Sequence, residues 1–176
     1  VQKGRASPTD TYVSANGGMV MITGESKRRL PPENLHLVVG NTMVPHSTAK
    51  MVEQVANLRQ HHPAIANPIL DAIGELTLAA IHEMSNPKEL GQYMDMNHAL
   101  LEALGVGHPA SSRLVLAARA SGAYGAKITG AGGGGSIIAL CPRRAKNRVA
   151  GAIEASEGRA IITTIDTDGA REEKND

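Results

Sequence analysis

Residues 126–140, AKITGAGGGGSIIAL, place five glycines within six positions directly ahead of an apolar, β-branched run that reads as a buried strand. Each glycine adds to the conformational entropy lost on folding. The cluster therefore needs a physical reason: a turn that only glycine permits, or a close approach to the main chain where a Cβ would collide. The loop lacks the G-x-x-x-x-G-K-[ST] pattern of a P-loop, since no lysine follows it. It also lacks the helix that a dinucleotide fingerprint requires after its glycines. Two readings stay open: a tight strand connection, or a run of N–H groups that forms an anion-accepting concavity with the Lys127 cation at its rim.

Outward from the loop, 123–128 and 136–140 read as paired strands. Upstream, Met51, Val55 and Leu58 follow the i, i+4, i+7 spacing of an amphipathic helix that begins near Ser47 and stops at His61-His62-Pro63. A second helix is expected over 67–84 with Pro68 in its first turn, a third from Asn86-Pro87 to Leu104, and a fourth over 110–120. RRAKNRVAGAIEAS reads as a fifth helix and RAIITTID as a last strand. Nearer the start, NLHLVVGNT reads as a buried strand, and GGMVMITG followed by SKRRL as a hairpin. The pattern predicts an α+β fold, an antiparallel sheet with helices on one face. Residues 1–32 read as the end of a preceding domain, 33–168 as the main domain, and 169–176 as a charged, frayed tail.

A 41% hydrophobic content in 176 residues is that of a packed globular chain. Eighteen Lys and Arg against 17 Asp and Glu leave a net charge of +1, which argues against nucleic acid or an acidic membrane surface as the partner. The lone Cys141 ends an apolar run and is expected to pack. No apolar segment is read as long enough to cross a bilayer and no leader is read at the start, so a soluble, cytoplasmic protein is expected. The chain has no Phe or Trp, only three Tyr, and opens on Val1; the expectation is part of a longer polypeptide.

Two further segments offer chemistry. In GRASPTDTYVSANGG, Ser7 suits an N-cap, Pro8 the first helical position and Asp10 the first turn, where the helix field keeps a carboxylate ionised and able to orient and deprotonate an alcohol. In NTMVPHSTAKMV, His46, Ser47 and Thr48 gather polar groups at a helix start, a seat for a carboxylate or phosphate. The other histidines have no metal-ligand spacing, and no protein metal site is expected.

These segments, in this order, resemble the carboxyl-terminal part of the galactokinase–homoserine kinase–mevalonate kinase–phosphomevalonate kinase (GHMP) superfamily. KITGAGGGGSIIAL looks like its third motif, and Gly4, Ser7 and Asp10 followed by Gly17-Gly18 look like its catalytic-aspartate segment. NTMVPHSTAKMV and MNHALLEALGVGHPA are similar to stretches of the mevalonate kinases within the group. The resemblance implies a ferredoxin-like domain and phosphoryl transfer from ATP, with Mg2+, to the C5 hydroxyl of mevalonate. It implies Asp10 as catalytic base, Thr48, His46 and Ser7 in substrate binding, and Gly130, Ala131, Gly132, Gly133 and Lys127 in support of the phosphates, with the glycines admitting a phosphate-holding loop of the other domain. Pro8, Thr11 and His46 depart from the usual family residues. The family's ATP loop and metal ligands are expected on a missing N-terminal half, so that this chain alone is not expected to catalyse. Kinases for phosphomevalonate, homoserine or a sugar stay open, as do a homodimer and a non-catalytic binding or dimerisation module.

Overall fold

The computed structural model describes residues 9–24 and 26–171, and the chain divides into two compact units. Residues 164–168, which the sequence groups with the larger domain, belong with the smaller unit, and Leu35–Thr163 form the larger one.

The described part of the smaller unit has α1 (Thr9–Asn16), followed by the antiparallel hairpin of β1 (Val20–Thr23) and β2 (Ser26–Arg29). Ser7 and Pro8, expected as its cap and first residue, lie outside the described residues. Asp10 is exposed in the first turn of α1. The Lys27 ammonium of β2 stands 4.8 Å above the Tyr12 ring. The stretch after Thr163 returns here: Gly18 N donates to Asp166 O at 2.6 Å, and the Arg29 guanidinium to Thr167 O at 2.6 Å. Gly17 and Gly169, both at positive φ, press main chain against main chain; a Cβ on Gly169 would lie 2.6 Å from the Ala15 carbonyl oxygen.

The larger unit runs β3 (Leu37–Asn41), α2 (Thr48–His61), α3 (Pro63–His82), α4 (Pro87–Ala103), α5 (Pro109–Ala120), β4 (Gly125–Thr129), β5 (Ser136–Leu140), α6 (Lys146–Ala155) and β6 (Arg159–Thr163). Its sheet has the order β4-β5-β3-β6 with every neighbour antiparallel. With the helices between them, the strands form a split β-α-β-β-α-β arrangement. Alternation along the strands sends Val38, Ala126, Ile137 and Ala139 to one face, where they meet Leu114, Val115 and Ala118 of α5 and Val149 and Ile153 of α6. Cys141 is buried in this same core, as its position in the sequence suggests.

Three expectations are corrected. The second helix starts at Pro63, because Pro63 pre-sets the first turn; Pro68 falls inside, where it cannot donate to the carbonyl of Ala64. The fifth opens as a 3-10 turn over Arg143–Ala145 before α6 begins. Finally, α3 is long and apolar enough to cross a membrane by length and composition, although Asp71 and Glu75 interrupt its apolar run, and only its Ala66 is buried.

α4 lies along the edge strand β4, and a pair of glycines makes that approach possible. A Cβ on Gly91 would stand 2.5 Å from the Tyr124 carbonyl, and one on Gly125 would run into the Gly91 carbonyl. The edge of β4 is closed by side chains: Asp95 accepts the Ala126 N–H at 2.9 Å and Arg119 donates to the Ala126 carbonyl at 2.8 Å. The two are held together by a 2.6 Å ion pair. Replacement Gly125→Val should force α4 off β4. Urea unfolding is expected to show a loss of roughly 3 kcal/mol, the upper end for overpacking, while Gly74→Val, whose Cβ would meet nothing within 4 Å, should cost well under half of that.

Candidate functional site

In the larger unit the glycine loop between β4 and β5 meets two other segments, the connection from β3 to α2 and the turn from α4 to α5. Gly130, Gly132, Gly133, Gly134 and Gly135 all have positive φ, so the path itself demands glycine. Close approach adds a second demand. A Cβ on Gly132 would strike the Val106 carbonyl, one on Gly133 would lie 2.6 Å from Met51 Sδ, and one on Gly135 would lie 2.8 Å from the His46 ring. At these three positions the groups that crowd the loop belong to this chain, whereas the resemblance implies a phosphate-holding loop of another domain.

Hydrogen bonds fix the loop in place. Gly133 N donates to Val106 O at 2.8 Å and Gly135 N to Val44 O at 3.3 Å, while Thr42 donates to Gly135 O through both its N–H, at 2.8 Å, and its hydroxyl, at 2.9 Å. Two loop N–H groups are thereby used internally. Those of Gly130, Ala131, Gly132 and Gly134 have no partner among the described residues, and they are the donors the loop can offer an anion.

The β3–α2 connection is equally constrained. Met43 holds φ +58 with its N–H bonded to Asn41 Oδ1 at 2.7 Å, and its side chain is 65% exposed. Asn41 in turn reaches Ser136 Oγ at 3.3 Å. The cap of α2 is Ser47, whose Oγ accepts the Lys50 N–H at 3.4 Å, and the exposed Thr48 is the first helical residue. Backbone N–H groups at this start, with the exposed His46 ring beside Gly135, form a positive, donor-rich rim.

The α4–α5 turn carries Val106 and is braced from α2 and from the cap of α5. Gln54 of α2 donates to Gly105 O at 2.7 Å, and His108 Nδ1 caps α5 by accepting the Ala110 N–H at 3.1 Å. Glu102 accepts from the Ser112 hydroxyl and lies 3.5 Å from Nε2 of the buried His98, whose Nδ1 has no partner among the described residues. Burial lowers the pKa of His98, outweighing the attraction of Glu102.

Of the residues expected at a site, His46, Gly132 and Gly133 come together here with Thr48 at the start of α2, and Gly134 and Gly135 join them. Lys127 does not point along the loop: its Nζ donates to the Ile128 carbonyl at 2.9 Å inside a cleft between α3 and α4. Asp10 belongs to the smaller unit. Sequence reasoning reads Thr42, Met51 and Val106 as parts of stretches similar to the family, and Met51 also as part of a helical stripe, but misses their contacts with the loop, which arise from tertiary approach.

Comparison with known proteins follows the same lines. Residues 77–159 match the family described as GHMP kinases C terminal. Mevalonate kinase from Thermococcus gammatolerans is 41% identical over 98% of this chain and 53% of its own length, and that from Thermococcus sibiricus is 41% identical over 96% and 53%. The chain thus spans about half the length of the curated relatives it matches. Among solved structures, L. major mevalonate kinase in complex with R-mevalonate superposes with a TM-score of 0.88 at 25% identity, over 95% of this chain and 55% of that one.

The packing of the loop and of His98 can be tested by stability. Gly132→Ala meets both a positive φ and the Val106 carbonyl, whereas Gly130→Ala meets a positive φ and open space. Chemical denaturation should show a loss of about 3 kcal/mol for the first and about 1 kcal/mol for the second. The lowered pKa of His98 means that the unfolded chain binds this proton at higher pH than the folded one. Its contribution is complete above the ordinary value of 6.5 and is lost as pH falls through that value toward the folded one. Unfolding free energy followed from pH 7.5 down to about pH 5.5 should decline, and His98→Gln should flatten the decline.

Proposed function

We propose, from the premise that the chain belongs to the GHMP kinase family, that it is the carboxyl-terminal portion of a mevalonate kinase, which transfers the γ-phosphoryl of ATP to the C5 hydroxyl of mevalonate. The observation that carries this reading is the 41% identity to mevalonate kinases, maintained along nearly the whole chain. The seating of the mevalonate-kinase-like segment 41–48 on the glycine loop supports it, because the motifs that suggest the substrate and the phosphate lie side by side in one unit.

In this reading Asp10 holds and deprotonates the substrate hydroxyl. It is exposed in the first turn of α1, open to a substrate hydroxyl. His46, Thr48 and Ser7 bind the substrate. The free N–H groups of Gly130, Ala131 and Gly132 face a phosphate, and Gly133 anchors the loop through Val106. Lys127, which the resemblance groups with the phosphate loop, donates to the Ile128 carbonyl of its own strand and has no part in this reading. ATP supplies the phosphoryl group. Among the described residues no cluster of three or more His, Cys, Asp or Glu could hold a metal ion. The resemblance assigns the ATP-phosphate loop and the Mg2+ ligands to the part of the kinase outside this chain, and in this reading the chain alone is inactive. A cytoplasmic small-molecule enzyme without nucleic-acid or membrane partners completes the reading.

The test uses the complete kinase. Asp10→Asn should lower kcat by about a thousandfold with an unchanged melting temperature, because asparagine is tolerated where Asp10 stands in an exposed first turn. Equal losses of activity and stability would assign Asp10 a structural role instead. A panel of mevalonate, phosphomevalonate, homoserine and galactose should show turnover of mevalonate first; preference for another acceptor sinks the substrate assignment. Tight binding of ATP by the chain alone, measured by calorimetry, would contradict the placement of the nucleotide loop.

A further inference from the structure

The cleft between α3 and α4 is built on different principles from the glycine-loop site. It has a volume of about 180 Å³, with apolar walls that include Leu76, Leu90 and Met94, and with Tyr93, Asn97 and Lys127 among its lining. Lys127 enters it from β4: its neighbours Ala126 and Ile128 are buried, so strand alternation turns Lys127 to the opposite side of the sheet.

Its ammonium is poorly matched there. One of its three donors goes to the Ile128 carbonyl, and among the described residues no carboxylate pairs with it. Asp95, on the same helix as Tyr93 and Asn97, is committed to Arg119 and the Ala126 N–H. Desolvation pulls the lysine's pKa down with no opposing attraction. The Tyr93 hydroxyl and the Asn97 amide share the cleft and likewise have no partner among the described residues. A cation with spare donors, beside two spare polar groups and under apolar walls, is the complement of an amphiphilic anion. The size sets the body of that ligand, since an aliphatic cavity of about 150 Å³ accommodates benzene.

We propose that the α3–α4 cleft is a binding site for a small organic anion, a carboxylate or phosphate ester head on a compact apolar body the size of one six-membered ring. The head takes the free donors of Lys127 with the Asn97 amide and the Tyr93 hydroxyl, and the body lies against Leu76, Leu90 and Met94. This site is independent of the kinase reading, since Lys127 makes its bond within its own strand and lines this cleft, and since its ligand is read by binding alone.

Calorimetric titration of the 176-residue chain with benzoate is the test. Saturable 1:1 binding is expected, with benzamide, the neutral isostere, and inorganic phosphate, the head without a body, each at least about tenfold weaker. Phenyl phosphate should also bind, and its rank against benzoate identifies the preferred head. Lys127→Met should weaken benzoate by at least about tenfold, with circular dichroism to verify the fold. If that variant does not fold, the comparison of benzoate with benzamide on the unaltered chain still decides. Absence of saturable binding, equal binding of benzoate and benzamide, or a folded Lys127→Met chain that keeps its benzoate affinity overturns the proposal.

Discussion

The contact on which the larger unit turns is that between the glycine loop and Val106. One carbonyl accepts the Gly133 N–H at 2.8 Å and simultaneously fills the space a side chain on Gly132 would need. The loop can therefore be neither lifted nor decorated without breaking this contact. Because Val106 sits in the α4–α5 turn, the position of the loop is inherited from two helices, and because Met51 and His46 crowd the next glycines, it is inherited from the start of α2 as well. Three segments far apart in sequence are thus made into one surface by the absence of side chains.

The same economy governs the sheet edge. An unpaired strand edge exposes N–H and C=O groups that either bind water or recruit another strand. At β4 the Asp95–Arg119 pair supplies one acceptor and one donor to Ala126, matching what a neighbouring strand would give. The close glycine contact of α4 with β4 sets the distance that makes this match possible. The hairpin that carries the loop is consequently tied to α4 and α5 at both ends, through Ala126 at its base and Val106 at its tip.

Much of this was legible in the sequence. Strand alternation and helical spacing disclosed nearly every element, since burial on one face writes a period into the residues: Ser136–Leu140 emerges as read, and the hairpin around Gly24, with no buried strand residue, was legible from its apolar first strand and its glycine. Boundaries set by proline were harder, because Pro63 and Pro68 both satisfy a first turn and only packing decides between them. The glycine cluster announced a site, yet its reason was only half legible. Positive φ is a local property that glycine advertises, whereas the crowding by Val106, Met51 and His46 arises from tertiary approach, which leaves no mark on any one segment. Lys127 shows the same limit: its place in the chain is beside the loop, but strand alternation carries its side chain into a different cleft.

The return of the chain to its smaller unit has a consequence for synthesis. Gly17 and Gly169 meet backbone to backbone, so that unit consists of an early piece and a late piece with the whole of Leu35–Thr163 between them. A ribosome delivers them in that order, at about 5–20 residues per second. The larger unit, contiguous in sequence, emerges entire while the early piece still lacks its counterpart. Maturation is therefore nested: the middle of the polypeptide can be finished first, and the segment bearing Asp10 gains the support of Asp166 and Gly169 only when translation reaches them.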